Sequence, residues 1–440
     1  MANEKVVVRF PPSPTGFLHV GNVRTMIYNY LFARKNGGTF LLRIEDTDKE
    51  RSKKEYEEAI YEDMKWLGLD YDNHNSVWRS SERNEIYIQK IQEFIRKGAA
   101  YVSEESEGEN REVVRFKNPG GKIKFTDLIR GEIEMEVGDL GDFIIARNIE
   151  DPLYHLAVCI DDSESGITHI IRGDDHISNT PRQILIIEAL GGKRPIYAHM
   201  PLVLAEDKSK LSKRKHGEKV SLRYYKEKGY TPEAIVNFLA MIGWNPGTPE
   251  EIFSLEELVK VFDLSKVQKK GGIFDIKKLR WMNKEHMKLK PEETKQKIGE
   301  RIGKHFGDRE VHPDLIEMLF ERIEVLSDID NLIQAGELDY FFNEPKLDVE
   351  KIAWKDQTKE NAKENLHKVS EILGKGEAFE EDFLRSHLRK LTEIEGKGNV
   401  FWPLRYSLSG REKSPDPLSL IKILGIEESK KRITDAIAKI

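Results

Sequence analysis

One cysteine, Cys159, stands in 440 residues, so no internal disulfide and no cysteine-based zinc site is available, and the chain fits a reducing compartment. No apolar run approaches the length of a membrane span. The opening MANEKVVV lacks a basic region followed by an apolar core, so a cytoplasmic location is expected. An overall basic footprint is missing too: 71 basic side chains face 77 acidic ones, a net charge of −6. That removes the simplest argument for a nucleic-acid partner without excluding one, because the placement of positive charge matters more than its total.

What the chain does have is charge, 34% of residues beside 38% hydrophobic, the balance of a globular protein with roughly three domains. The charge is uneven. Lys208, Lys210, Lys213, Arg214, Lys215, Lys219, Arg223, Lys226 and Lys228 crowd one stretch against Glu218 and Glu227. By contrast 311–350 is strongly acidic, a poor surface for phosphates.

The stretch Lys5 to Asp48 organises the rest. Val6 to Phe10 is an apolar run stopped by Pro11, Pro12 and Pro14, which predicts a short buried strand. Gly16 and Gly21 flank Phe17 to Val20. Val23, Ile27, Tyr30 and Leu31 then recur at helical spacing until Gly37-Gly38, and Phe40 to Ile44 predicts a second strand. A helix starting just after a strand aims free N–H groups and a positive dipole end at the loop between them, a place for phosphate. Neither GxxxxGK[ST] nor GxGxxG occurs in it, so the usual nucleotide fingerprints do not apply. His19 lies between the two glycines, where an imidazole can face a ligand lying on bare backbone. A lone His-x-Gly is more often a surface or core histidine.

Further along, Glu45-Asp46-Thr47-Asp48 puts carboxylates at a strand's C-terminal end, where ligands gather in parallel sheets. Ser52 and Glu55 read as a capping box for a helix burying Tyr56, Ile60, Met64 and Leu67. Another helix is expected from about 82 to 97, with Ile86, Ile91, Phe94 and Ile95 inward. Ser103 to Glu112 reads as an exposed acidic loop, and Val113–Lys117, Ile133–Val137 and Phe143–Ala146 as inserted strands. Tyr154 to Asp162 is an apolar run ending in two aspartates. Ile167 to Arg172 predicts a strand, Thr180-Pro181 an N-cap and first position of a helix to Leu190, and Ile196 to Leu204 another strand. Beyond Gly217 helices dominate. Thr231-Pro232 caps one holding Ile235, Phe238, Leu239 and Ile242, Ser254 with Glu257 caps the next, and Asp275 opens one with Leu279, Trp281 and Met282. No fixed-period repeat follows. Near the end, Arg385, His387, Arg389, Lys390, Trp402, Arg405 and Tyr406 mix cations with aromatics. That suits single-stranded bases, although helix packing is the commoner cause.

The strings PSPTGFLHVGN and KLSKR resemble the two signatures of class I aminoacyl-tRNA synthetases. With RIEDTD, YHLAVCIDD, IRGDDHISNTPRQ and FDIKKLRWMN, the chain resembles their bacterial-type glutamyl branch over nearly its whole length. The resemblance implies an α/β fold with a Rossmann-like catalytic core, first half 1–97 and second half 151–230 with the KLSKR loop. An inserted α+β acceptor-end-binding domain, 98–150, splits that core. A stem-contact helical domain, 231–290, and an all-helical anticodon-binding region, 291–440, follow. The helical C-terminus separates this branch from glutaminyl enzymes, which end in β-barrels.

The resemblance also implies ATP-binding positions at Pro14, Thr15, Gly16, His19, Gly21, Asn22, Lys210, Leu211, Ser212, Lys213 and Arg214. It places glutamate binding at Arg9, Ser13, Glu45, Tyr154 and Arg172. ATP, Mg²⁺, L-glutamate and tRNA(Glu) are the implied cofactors and partners; no structural zinc, no membrane contact and a monomer are expected. The insertion is shorter than usual, without the cysteines that bind zinc in some relatives. No anticodon-reading residue is carried across.

Residue chemistry runs the same way. When a carboxylate attacks the α-phosphorus of ATP, negative charge builds on phosphoryl oxygens, so His19, Lys210 and Lys213 are the catalytic candidates; losing one such group costs roughly 2.7 to 4 kcal/mol. Glu45 suits an ammonium, and Arg9 and Arg172, with the Tyr154 hydroxyl, offer forked donors to a carboxylate. A guanidinium inside VVVRF must be paired, since stranding one costs roughly 3 to 5 kcal/mol. A neutral glutamine amide would leave part of that fork unpaired.

The expected activity is therefore ATP-dependent ligation of L-glutamate to tRNA(Glu) through a glutamyl-adenylate, releasing AMP and pyrophosphate. Three alternatives stand beside it: an enzyme that also charges tRNA(Gln) with glutamate, a nucleotidyltransferase acting without RNA, and a protein that only binds RNA. The large helical C-terminus argues against the second, and intact His19, Lys210 and Lys213 against the third.

Overall fold

The computed structural model describes residues 5–105, 112–375 and 380–440; most of the expected acidic loop, 106–111, lies outside them. The chain divides into two units, the first ending at His286 and the second running from Met287 to Ile440.

In the first unit β1 (Val7–Phe10), α1 (Val20–Lys35) and β2 (Thr39–Ile44) form a parallel crossover, with Arg9 opposite Leu41. The strands read as apolar runs because parallel sheets are covered on both faces. Then come α2 (Lys54–Leu67), β3 (Trp78–Arg79), which pairs with β2, and α3 (Asn84–Arg96). α3 buries Ile91 and Phe94 and also Tyr87, while Ile86 and Ile95 are half-buried. The Ser52–Glu55 capping box does not form. α2 starts at Lys54 without a side-chain cap, and the Ser52 hydroxyl is buried and unpartnered. The Lys53 N–H goes instead to the Pro14 carbonyl at 3.0 Å, a long-range contact that overrides the local signal.

The insertion carries β4 (Ala100–Glu104), β5 (Glu112–Phe116), β6 (Lys122–Asp127), β7 (Gly131–Glu136), β8 (Phe143–Asn148) and β9 (Asp151–Pro152). The core then resumes with α4 (Tyr154–Glu164), β10 (His169–Gly173), α5 (Thr180–Ala189) and β11 (Ile196–Met200). β4, β5, β8 and β9 make one antiparallel sheet. The β6–β7 hairpin instead joins the edge of β11, Asp127 opposite Tyr197. β10 pairs in parallel with β11, Arg172 opposite His199, and Thr168 ties it to β1 through Val7, N–H to carbonyl at 3.0 Å. Val114, Phe116 and Phe125 of the insertion share one apolar core with Leu156, Ile160, Ile170 and Ile184.

Thr180 does not cap α5. The N-cap position is Asn179, at the end of a 3₁₀ turn over Asp174–Asn179. Thr180 Oγ1 accepts a hydrogen bond from Arg172 at 2.8 Å, because a buried guanidinium without acceptors costs more than a lost cap. The expected strand 196–204 is two strands, β11 and β12 (Val203–Leu204), divided at Pro201, which has no N–H for a ladder.

The unit closes with α6 (Lys213–His216), α7 (Leu222–Lys228), α8 (Pro232–Met241), α9 (Leu255–Val261), β13 (Gly272–Ile273) and most of α10 (Ile276–Leu289), whose last three residues belong to the second unit. Thr231 caps α8, Ser254 and Glu257 form a full capping box on α9, and Asp275 accepts from the Lys277 and Lys278 N–H groups. On α10 Leu279 and Met282 are buried while Trp281 is 41% exposed. Buried Arg24 of α1 donates to the carbonyls of Pro201 and Ile242, which seats that helix against the later chain.

The second unit is helical: α11 (Pro291–His305), α12 (Pro313–Arg322), α13 (Ser327–Gln334), α14 (Asp339–Phe342), α15 (Lys359–Gly374), α16 (Glu381–Glu395), α17 (Lys397–Ser409), α18 (Pro417–Leu424) and α19 (Ile426–Lys439). Ile298, Leu315, Leu319 and Ile329 centre one cluster; Leu366, Leu388, Leu404 and Ile433 centre another. Trp402 donates to the Lys351 carbonyl at 2.9 Å, Arg405 lies over the Trp402 ring, and Tyr406 is buried, so these three are engaged in helix packing. Among the described residues no helix is long and apolar enough to cross a membrane.

Candidate active site

At the C-terminal ends of β1, β2 and β10 lies an open cleft of about 710 Å³. Its walls include Arg9, Ser13, Thr15, Gly16, His19, Gly21, Asn22, Glu45, Tyr154, Arg172, Lys210, Leu211, Ser212 and Lys213. Of the residues expected at the site, Pro14 and Arg214 alone do not line it. Pro14 is buried, with its carbonyl committed to Lys53, and Arg214 is exposed on α6.

His19 is the N-cap of α1. Its Nδ1 accepts from the Gly21 N–H at 3.1 Å and the Asn22 N–H at 3.4 Å. Two helix N–H groups expected to face a ligand are therefore taken by the histidine itself. The bond pattern puts the ring proton on Nε2, leaving one imidazole donor for the cleft. Desolvation by the cleft walls and repulsion from Lys210 hold the ring below the ordinary histidine pKa, so it is neutral. Gly21 is required by this cap, since a Cβ there would come within 2.9 Å of His19 Cε1. A Cβ on Gly16 would meet no protein atom within 4 Å, so bare backbone faces the cleft there.

The two signature strings meet through the chain that follows the second. His19 bridges to Ser221, and the Leu222 N–H donates to the Leu18 carbonyl at 2.9 Å. Lys210 reaches Asp175 at 3.1 Å, and Lys213, exposed, begins α6.

Beneath the cleft floor runs a buried charge network. Arg9 Nε lies 3.2 Å from Asp162, Arg43 Nη1 lies 2.8 Å from the same carboxylate, and Arg43 Nη2 lies 3.0 Å from Glu45. Arg83 and the Tyr87 hydroxyl both bond Asp161 at 2.8 Å. Burial pushes the Glu45 carboxyl up and Arg43 opposes it; burial also pushes the Tyr154 phenol up to about 12. Arg172 differs. It is 6% exposed, and its guanidinium donates to His199 Nε2 at 3.1 Å, Gln183 Oε1 at 2.6 Å and Thr180 Oγ1 at 2.8 Å. Every one of these partners is uncharged.

A model of the catalytic domain of class I tRNA synthetases (E and Q) matches residues 5–112 and 103–281, and one of an anticodon binding domain matches 286–437. The chain belongs to the class I tRNA synthetases. Similar proteins include the glutamate–tRNA ligases of Carboxydothermus hydrogenoformans, 39% identical over 97% of this chain and 99% of that one, and of Aquifex aeolicus, 39% identical over 99% of each. Among solved structures, the glutamate tRNA ligase of Elizabethkingia meningosepticum in complex with its amino acid superimposes with a TM-score of 0.87, at 32% identity and 99% coverage of both chains.

Sequence reasoning about this synthetase passed over Arg43, Asp161, Asp162, Asp127, His199 and Gln183. The two aspartates were open to the argument applied to Arg9: an acidic pair ending an apolar run is bound to be buried and needs cations. His199 and Asp127 gave no such signal, since their partnership exists only once the insertion docks on β11.

Proposed function

We propose that this synthetase ligates L-glutamate to tRNA(Glu) in two steps through a glutamyl-adenylate, consuming ATP and releasing AMP and pyrophosphate. Arg172 is the observation that carries the reading. A buried cation held only by neutral groups calls for an anion. Three of its five N–H groups are in use, and the two that remain suit the paired oxygens of a carboxylate. The side chain of glutamate supplies that carboxylate; a glutamine amide would set its own N–H against one of them. Glu45 takes the ammonium, and Arg9, Ser13 and Tyr154 line the same pocket. The near-full-length similarity to glutamate–tRNA ligases supports the reading.

In the first step the amino acid's α-carboxylate oxygen attacks the α-phosphorus and the bond to the bridging oxygen of pyrophosphate breaks. His19 Nε2–H, Lys210 and Lys213 supply donors and positive charge to the phosphoryl oxygens, and the bare backbone at Gly16 with the rest of 15–22 and 210–213 cradles the nucleotide. Mg²⁺ entering with ATP would supply charge neutralisation at the phosphates. In the second step a hydroxyl of the terminal tRNA ribose attacks the adenylate carbonyl and AMP leaves. The second unit, with its match to an anticodon binding domain, is the region that reads the tRNA. The single buried thiol of Cys159 fits a cytoplasmic enzyme.

ATP–pyrophosphate exchange with glutamate or glutamine, with and without tRNA(Glu), tests the reading. Exchange with glutamate and not with glutamine supports it; glutamine-driven exchange of equal rate overturns it.

A further inference from the structure

His199 and Asp127 sit behind the pocket and are not among the residues that line the cleft. Both side chains are fully buried, with His199 Nδ1 2.6 Å from Asp127 Oδ2. On the far side of the ring, His199 Nε2 lies 3.1 Å from Arg172 Nε. The strand register puts them there, since Arg172 and His199 are direct partners across β10 and β11. An arginine Nε has only a proton to give, so His199 Nε2 is an acceptor and the ring's one proton lies on Nδ1, pointing at Asp127.

We propose that His199, fixed in its Nδ1–H form by Asp127, is the positioning residue for Arg172, and that the insertion thereby builds part of the amino-acid pocket. The inference rests on the reading of Arg172 as the partner of the glutamate side chain. The reason for an imidazole spacer is electrostatic. A carboxylate placed directly on Arg172 would occupy the fork and repel the substrate. Asp127 keeps its negative charge one ring away, so the guanidinium is held and its outward N–H groups stay free. Asp127 is itself rigid: Oδ1 accepts from the Ile129 and Arg130 N–H groups at 2.9 and 2.8 Å, and Oδ2 from the His199 N–H at 2.9 Å. The Ile129 and Arg130 donors lie in the β6–β7 turn, and Arg130 clamps the turn to Asp174 at 2.6 Å.

The test separates the two ring nitrogens. In His199→Gln the amide oxygen takes the place of Nε2 and still accepts from Arg172; in His199→Asn the amide takes the place of Nδ1, keeping Asp127 and losing Arg172. Charging of saturating tRNA(Glu) by the full-length enzyme should show a KM for glutamate raised about tenfold or more in His199→Asn, the cost of one hydrogen bond to a charged group. In His199→Gln it should stay within about threefold of the wild type, with the KM for ATP unchanged in both. An unchanged glutamate KM in His199→Asn, or equal rises in both variants, overturns the proposal. Because His199→Asn could fail to fold, the wild-type chain labelled with ¹⁵N-histidine provides a second readout. Its spectrum should show the Nδ1–H tautomer at this ring, and an Nε2–H tautomer or an imidazolium overturns the proposal. A wild type that charges no glutamate would instead refute the proposed function itself.

Discussion

Asp162 lies 3.2 Å from the Nε of Arg9, 153 positions earlier in the chain, and 2.8 Å from Nη1 of Arg43. One buried carboxylate on α4 thus bonds guanidiniums on both β1 and β2, and Arg43 has Glu45 as a second anionic partner. Asp162→Asn removes the anion paired with Arg9 in a dry interior. It should destabilise the first unit by about 3 to 5 kcal/mol, read as a lower urea midpoint; an unchanged midpoint would show that the network carries no stability.

Arg172→Ala removes the cation proposed to receive the substrate side chain. Truncating one member of a buried charge pair costs about 2 to 5 kcal/mol, so affinity for glutamate should fall by tens to thousands of fold. The KM for ATP should stay as it was. Titration of glutamate at saturating ATP and tRNA checks this, and loss of affinity for ATP alone would assign Arg172 to the nucleotide.

Lys213 is exposed at the start of a four-residue helix, so its removal should leave the fold intact. Lys213→Ala should cost roughly 2.7 to 4 kcal/mol of transition-state stabilisation, about a hundredfold or more in the rate of adenylate formation. Single-turnover kinetics with an unchanged unfolding midpoint is the expected pair of results.

His176 gives a pH dependence. Burial first, then the positive charges of Arg172 and Arg9, push its pKa down to about 4 from 6.5. Between those values the unfolded chain binds the proton and the folded one does not, so this contribution to stability is present above about pH 6.5 and is lost as the pH falls towards 4. Urea midpoints at pH 5 and pH 7 should therefore differ more in the wild type than in His176→Gln. Equal differences would mean that His176 titrates normally.

The α/β core and its cleft were legible because their signals are local. Val6–Phe10, the Gly16–Gly21 loop and the spacing of Val23, Ile27 and Leu31 each specify an element within a few residues. Capping was legible where nothing distant competed, at Thr231 and Ser254, and illegible at Ser52 and Thr180. Beside Ser52 the Lys53 N–H is held by the distant Pro14 carbonyl, and Arg172 takes the Thr180 hydroxyl. The need to pair Arg9 could be read from its apolar neighbours, but its partner depends on where α4 packs. The 122–136 hairpin looked like part of a separate insertion because sequence cannot show that Asp127 meets Tyr197 across a strand edge.

Charging with radiolabelled amino acid tests the central claim most directly, using separate purified tRNA(Glu) and tRNA(Gln) with ATP and Mg²⁺. Glutamate joined to tRNA(Glu), with no glutamine joined to either RNA, is the expected result; attachment of glutamate to tRNA(Gln) as well would mean that the enzyme accepts both. ATP–pyrophosphate exchange that runs fully without RNA, with no amino acid attached to tRNA, would contradict the account.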